Sequence, residues 1–348
     1  MTDEAISVPY ARTPARTAPV KAWLLLTALL VFAMVMVGGA TRLTESGLSI
    51  TQWKPLTGVI PPLSVDDWQA EFDRYRQIPQ YAAMNADMTL DGFKTIFWWE
   101  WAHRLLARVL GVAFVIPALA FAATGRLRGR VGARVALATA LLALEPLVGW
   151  WMVSSGLSQR TEVAQERLAL HFLIAAAVFG ALIYAAVGLS ERRRARTAGF
   201  ATPAHLFAAL VYGQLGLGAL VAGLRAGLTY NTWPLMDGRL IPAGLFGLPP
   251  ALRSLWDDVT TVQFDHRVLA YAVVLFALIQ GAYAARSGGA LARRAAVLAG
   301  AALWQGALGI VTLIYVVPLH AALAHQAFAL VLFGLAVAHA SATGDEAR

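Results

Sequence analysis

Long apolar stretches alternate with short polar connections along the chain, and eight of the stretches reach the roughly 20 residues a helix needs to cross a bilayer. They fall at 23–40, 99–123, 135–153, 168–189, 204–224, 266–285, 295–317 and 319–340. The pattern predicts an all-α polytopic membrane protein. The first stretch follows Lys21 and a polar tail without a convincing cleavage site, so it reads as a retained helix and not a signal peptide. Two connections are long, about 41–98 and about 225–265, and both carry Trp, Pro, Gly and some acid. In the first, Asp66-Asp67-Trp68 through Tyr75 predicts a short interfacial helix. Loops of this length are usually functional, and a lid near the outer membrane face is the natural role.

Composition supports the membrane reading. Of 348 residues, 58% are hydrophobic and only 14% charged, with a mean hydropathy of +0.60. Soluble chains carry about 25% charged residues. The net charge of +8 is scattered among helix ends and forms no patch, which argues against a nucleic-acid partner. The bases do have a side. The N-terminal tail (Arg12, Arg16, Lys21), the Arg126–Arg134 connection, Arg192 to Arg196, the Arg286–Arg294 connection and Arg348 hold fifteen bases against five acids, a net +10. The rest of the chain holds thirteen bases against fifteen acids, a net −2. The positive-inside rule puts both termini in the cytoplasm of a bacterial cell, and an even number of spans agrees. Cysteine is absent. That excludes disulfides, Cys-ligated zinc, iron–sulfur clusters and covalent haem attachment, and leaves imidazole as the ligand for any metal.

The chain repeats itself. The second span opens with His103-Arg104-Leu105-Leu106-Ala107 and the sixth with His266-Arg267-Val268-Leu269-Ala270. Before them, Gly47-Leu48-Ser49 with Trp53 and Gly58 matches Gly227-Leu228-Thr229 with Trp233 and Gly238 at identical spacing. The matched residues are polar, aromatic and Gly, beyond what chance gives two apolar helices. Two four-helix halves with four spans each are parallel repeats about an axis along the membrane normal. The fold expected is two pseudo-symmetric parallel four-helix bundles: tail 1–22, first half 23–190, basic linker 191–203, second half 204–340 and tail 341–348.

On this topology His103, His171, His266 and His325 each fall within the first two turns of an even-numbered span, near the outer face. Ionisable side chains inside a bilayer are costly and face a bundle interior. Two imidazoles on facing helices at equal depth are the arrangement that ligates one haem iron axially, so each half is expected to hold one haem. The competing reading, an intramembrane His that only hydrogen-bonds a neighbour, weakens when four share one register. Zinc would need three or four converging ligands, which four His split between halves do not supply. His205 and His339 sit at cytoplasmic helix ends, where His complements the helix terminus. His320 lies five residues before His325 and so off its face.

One position separates the halves. Glu100 lies three residues before His103, whereas Gln263 lies three before His266. An acid beside a metal-site ligand can move protons or stabilise positive charge, and an amide cannot. The alternative is a helix-start carboxylate complementing the dipole. Because Gln263 is accommodated in the second half, Gln is expected to be tolerated structurally at 100. Glu145, beside Pro146 in the third span, reads as a packing or hydrogen-bonding group. Arg42, Lys54, Arg104, Arg225 and Arg267 are candidate partners for haem propionates or ordinary interface bases.

These residues resemble the haem A synthase family. The resemblance rests on Gly38-Gly39-Ala40-Thr41-Arg42-Leu43-Thr44-Glu45-Ser46-Gly47-Leu48-Ser49 with Trp53-Lys54-Pro55, and on Phe97-Trp98-Trp99-Glu100-Trp101-Ala102-His103-Arg104. Tyr230-Asn231-Thr232-Trp233-Pro234-Leu235-Met236-Asp237-Gly238, Phe264-Asp265-His266-Arg267 and His325-Gln326 complete it. It spans nearly the whole chain and is closest to the cysteine-free branch of α-proteobacteria and mitochondria. Glu145-Pro146 departs from the Gln-Gly of the family pattern.

The resemblance implies an oxidoreductase of the inner membrane that oxidises the C8 methyl of haem O to a formyl group, giving haem A for cytochrome oxidase. It implies that His266 and His325 hold a haem B cofactor, that His103 and His171 bind the substrate haem, and that the acid at Glu100 is needed for turnover. A haem O synthase and cytochrome oxidase assembly proteins are the expected partners beside membrane lipid; a homo-oligomer is compatible with it. Two histidines on the substrate iron leave oxygen no open position, so either a histidine leaves or the methyl loses electrons and takes up water; the second is favoured. The rival classes are a bis-His cytochrome b for electron transfer and a haem carrier or assembly chaperone. The former usually places two His about 14 residues apart on one helix; only the last span, with His325 and His339, has that spacing, and the four candidate ligands instead share one leaflet.

Overall fold

The computed structural model describes residues 14–189 and 199–343. Arg12, the linker residues Arg192, Arg193, Arg194 and Arg196, and Arg348 lie outside the described residues. Eleven α-helices make up the described chain: α1 (Pro14–Leu43), α2 (Val65–Tyr75), α3 (Pro79–Met84), α4 (Leu90–Ala123), α5 (Gly129–Ser154), α6 (Gln165–Gly188), α7 (Ala201–Gly223), α8 (Ser254–Asp257), α9 (Val259–Ala285), α10 (Gly289–Ile314) and α11 (Leu319–Thr343). Among the described residues there is no strand, only one isolated bridge between Met236 and Arg239. Eight helices are long and apolar enough to cross a membrane: α1, α4, α5, α6, α7, α9, α10 and α11. The protein is a multi-pass, all-helical membrane protein.

The helices pack with α6 at the centre. It runs beside α1 and α5 on one side and α7 and α11 on the other, and α1 also touches α11. One apolar core results, built on Trp23, Leu24, Phe114, Phe179, Phe207, Leu298, Leu330 and Phe333. Trp23 stacks on Phe114 and gives its indole N–H to the Ala113 carbonyl at 3.1 Å, so the one polar atom of that ring is satisfied in an apolar setting. Helix pairs differ between the two parts of the chain. α9 packs along α10, but α4 touches α5 only sparingly, leaving α4 and α5 splayed from their short connection.

α4 begins well before the expected start at 99. Thr89 caps it by accepting from the Gly92 N–H, and Asp91 sits in its first turn. The extra turns bury Phe93 and Phe97 against Phe72, Tyr75, Leu48 and Ile50 of the outer connection. His103 is therefore about 20 Å along α4 at 1.5 Å per residue, not in its first two turns, while His171, His266 and His325 stay near their helix starts. Glu100 is well inside α4, which removes the helix-dipole explanation for it.

The outer connection is itself ordered by its sequence. α2 opens with a capping box, Ser64 accepting from the Asp67 N–H while the Asp67 side chain accepts from the Ser64 N–H. Lys54 and Arg74 both clasp Glu71, at 2.9 and 2.7 Å. Burial pushes the Glu71 carboxyl up, but the two cations outweigh it and hold the group below its ordinary range.

Candidate functional site

The four intramembrane histidines occupy four copies of one local design. Each ring lies against a glycine of a neighbouring span. A Cβ on Gly38 would lie 3.0 Å from His103 Nε2, and one on Gly149 3.1 Å from His171 Cε1. A Cβ on Gly218 would lie 3.2 Å from His266 Cε1, and one on Gly309 2.9 Å from His325 Cε1. Bare backbone at these positions is what lets the imidazoles seat between helices. His103 and His171 lie within direct electrostatic reach of each other, as do His266 and His325. The structure thus brings together both pairs that the sequence picks out.

Polar groups sit one helical turn before three of those glycines. Gln214, before Gly218, sets its amide nitrogen 3.0 Å from His266 Nδ1 and 2.9 Å from the His266 carbonyl. Gln305, before Gly309, does the same for His325, at 3.1 Å to each atom. The amide oxygens of both are buried without a partner. As placed, each amide nitrogen donates to the histidine's backbone carbonyl and lies against the ring Nδ1, which orients the ring, and turning the amide over would set its oxygen against that carbonyl. These orphaned oxygens, with the paired rings, fit a bis-imidazole haem in the second half. Glu145, before Gly149, meets His171 Nδ1 with its Oε2. The sequence reading missed Gln214, Gln305 and the glycine seats; a polar residue four before a glycine in three odd-numbered spans was the signal.

Glu100 is 3% exposed and surrounded by donors. Its Oε2 accepts from Ser49 Oγ at 2.8 Å and the Ile50 N–H at 2.7 Å. Its Oε1 accepts from Arg104 Nη2 at 2.6 Å and Nε at 3.1 Å. All four contacts are to donors, so the group serves as an acceptor-only carboxylate. Gln263 lives in the opposite environment. Its amide donates to the Ala226 carbonyl at 2.7 Å and its oxygen accepts from Arg267 at 3.1 Å. Gln is therefore not simply accommodated at 100, because its NH2 would face donors there.

The outward cations are committed to protein acceptors. Arg104 donates to the carbonyls of Ile50 and Gln52, at 2.8 and 2.9 Å, and Arg267 to those of Tyr230 and Thr232, at the same two distances. Arg42 pairs with Glu162 at 2.7 Å, and Arg225 with Glu45 at 2.6 Å and also with Glu162. This knot ties the end of α1 to the start of the connection after α7. His205 binds the Ala201 carbonyl at 2.7 Å, His339 is buried without a partner, and His320 is exposed, so none joins the site. Among the described residues no three His, Asp or Glu side chains gather as a metal-binding group.

Fold and site together define a multi-pass helical membrane protein with paired intramembrane histidines. Its relatives narrow that class. The cytochrome oxidase assembly protein family model matches residues 21–337. A haem A synthase of Beijerinckia indica is 50% identical over 334 residues, covering 94% of this chain and 93% of the relative. That of Azorhizobium caulinodans is 50% identical over 325 residues, 92% of this chain and 93% of its own. That of Sinorhizobium fredii is 48% identical over 342 residues, 97% and 93%. The chain belongs to the haem A synthase family.

Proposed function

We propose that the protein is a haem A synthase, an oxidoreductase that converts the C8 methyl of haem O into the formyl group of haem A for cytochrome oxidase. The observation that carries this is the unequal pair of histidine sites, acidic in the first half (Glu100, Glu145) and amide-lined in the second (Gln214, Gln263, Gln305). The halves 23–190 and 204–340, as pseudo-symmetric bundles, each carry one site. His266 and His325 would hold haem B, which supplies an electron-transfer centre when bound. His103 and His171 bind the substrate iron and so set where the methyl lies. The gap between α4 and α5 suits lateral arrival of a lipid-soluble substrate from the bilayer.

Methyl-to-formyl oxidation with oxygen taken from water releases four protons and four electrons, the electrons going to an external electron acceptor, and positive charge would develop on the substrate as they leave. Glu100 is the catalytic carboxylate in this reading. Ser49, Ile50 and Arg104 fix its orientation and keep it from rotating, and its buried charge stabilises that positive charge. Arg104 also pins the connection after α1 over the site, which excludes bulk water. Both termini lie in the cytoplasm, the sites face the outer leaflet of the inner membrane, and haem O synthase and cytochrome oxidase assembly proteins supply substrate and take product. The test is extraction and mass analysis of haems from cells with and without the protein. Haem O alone without it, and haem A with it, is expected; unchanged haem A on deletion overturns the reading.

A further inference from the structure

The four histidine seats share one layout but differ in the residue one turn before the glycine: Met34 before Gly38, Glu145 before Gly149, Gln214 before Gly218 and Gln305 before Gly309. The second half repeats an amide, while the first half sets a carboxylate against a thioether. His171 thus has a carboxylate against its Nδ1, whereas the corresponding position before the His103 seat carries the thioether of Met34. Among the described residues His103 has no side-chain hydrogen-bond or ion-pair partner.

Glu145 has no other evident task. Its side chain is 12% exposed, no Arg or Lys pairs with it among the described residues, and its Oε1 is buried without a partner. A carboxylate at this depth is costly unless a partner offsets it, and His171 Nδ1 is what it meets. The next residue is Pro146, which has no N–H to give to the preceding turn and frees the helix locally at this point. A carboxylate on the far nitrogen of a metal-bound imidazole fixes ring orientation and raises ligand basicity.

We propose that Glu145 is a positioning residue that orients His171 and makes it the stronger, more electron-rich of the two ligands of the substrate iron. This rests on the reading that His103 and His171 bind the substrate haem.

The test uses full-length protein purified from cells that make haem O. His103→Ala is expected to keep its first-half haem as a five-coordinate ferrous centre with an iron–histidine stretch in the resonance Raman spectrum. The six-coordinate haem of the second half gives no such band. Adding Glu145→Gln to His103→Ala should move the band to lower frequency, and Glu145→Asp should recover part of the shift. His171→Ala should lose the first-half haem, and haem B content should stay constant throughout. A band unmoved by Glu145→Gln, retention of the first-half haem in His171→Ala, or its loss in both histidine variants overturns the proposal. Unchanged first-half haem content and unchanged coordination in both histidine variants overturns the site reading beneath it.

Discussion

Arg104 and Glu100, one turn apart on α4, are joined by two hydrogen bonds to a single carboxylate oxygen, and the same guanidinium also holds the carbonyls of Ile50 and Gln52. The acid, its cation and the outer connection are one unit. Glu100→Gln should therefore act twice. It sets an amide NH2 against donors, costing about 1–3 kcal/mol of local stability. It also removes the charge. Haem A per unit of bound haem B should fall at least tenfold while haem O accumulates, by mass analysis. Haem A formation at the wild-type ratio would make Glu100 a structural anchor only.

The second-half pair is tested without turnover. His266→Ala and His325→Ala should each strip the low-spin haem B from purified protein, read by haem-to-protein ratio and visible bands. Gln305→Ala should weaken haem B binding roughly tenfold, because the His325 ring loses the side chain that orients it. Full occupancy in both histidine variants would move the cofactor elsewhere.

The glycine seats make a sharper steric test. Gly309→Ala places a Cβ 2.9 Å from the His325 ring and should displace it, lowering haem B occupancy. Gly111→Ala, with nothing within 4 Å of its added Cβ, is the matched helical control and should leave occupancy unchanged.

The outer clamp should be pH-sensitive. Lys54 and Arg74 hold the Glu71 carboxyl below its ordinary value of 4.5 against the opposing effect of burial. A lowered folded value means the clamp contributes fully above pH 4.5 and is lost as pH falls through that lower value. Hydrogen exchange over residues 54–75 should rise on acidification in the wild type. In Glu71→Gln it should be high and flat across the same range.

Sidedness has its own measurement. Reporter fusions at Arg196 should score cytoplasmic and fusions near Asp73 external. The reverse would invert the placement of both histidine sites.

The spans were legible because lipid allows few alternatives, and the four histidines stood out because polar groups there are rare. The start of α4 was not legible. Its outer turns are set by Phe93 and Phe97 packing on Tyr75 and Phe72, partners that hydropathy does not see. Nor could the opposite surroundings of Glu100 and Gln263 be read, since they depend on Ser49, Ile50 and Ala226 folding back from distant connections. The Glu145–His171 contact lies between the two: the residue was noticed, but its partner needed the packing of α5 on α6.

The Arg42–Glu162–Arg225–Glu45 knot carries a consequence for timing. Domains joined by weak interfaces drift relative to each other by default. Here a four-residue electrostatic latch joins them at the outer end, while α6 packs along both α7 and α11 beneath it. If the two histidine pairs hold haems as proposed, their separation would be set by this packing, and electrons passing between them would meet a barrier of fixed width. Pacing would then fall to events inside one site, above all the arrival of substrate between α4 and α5.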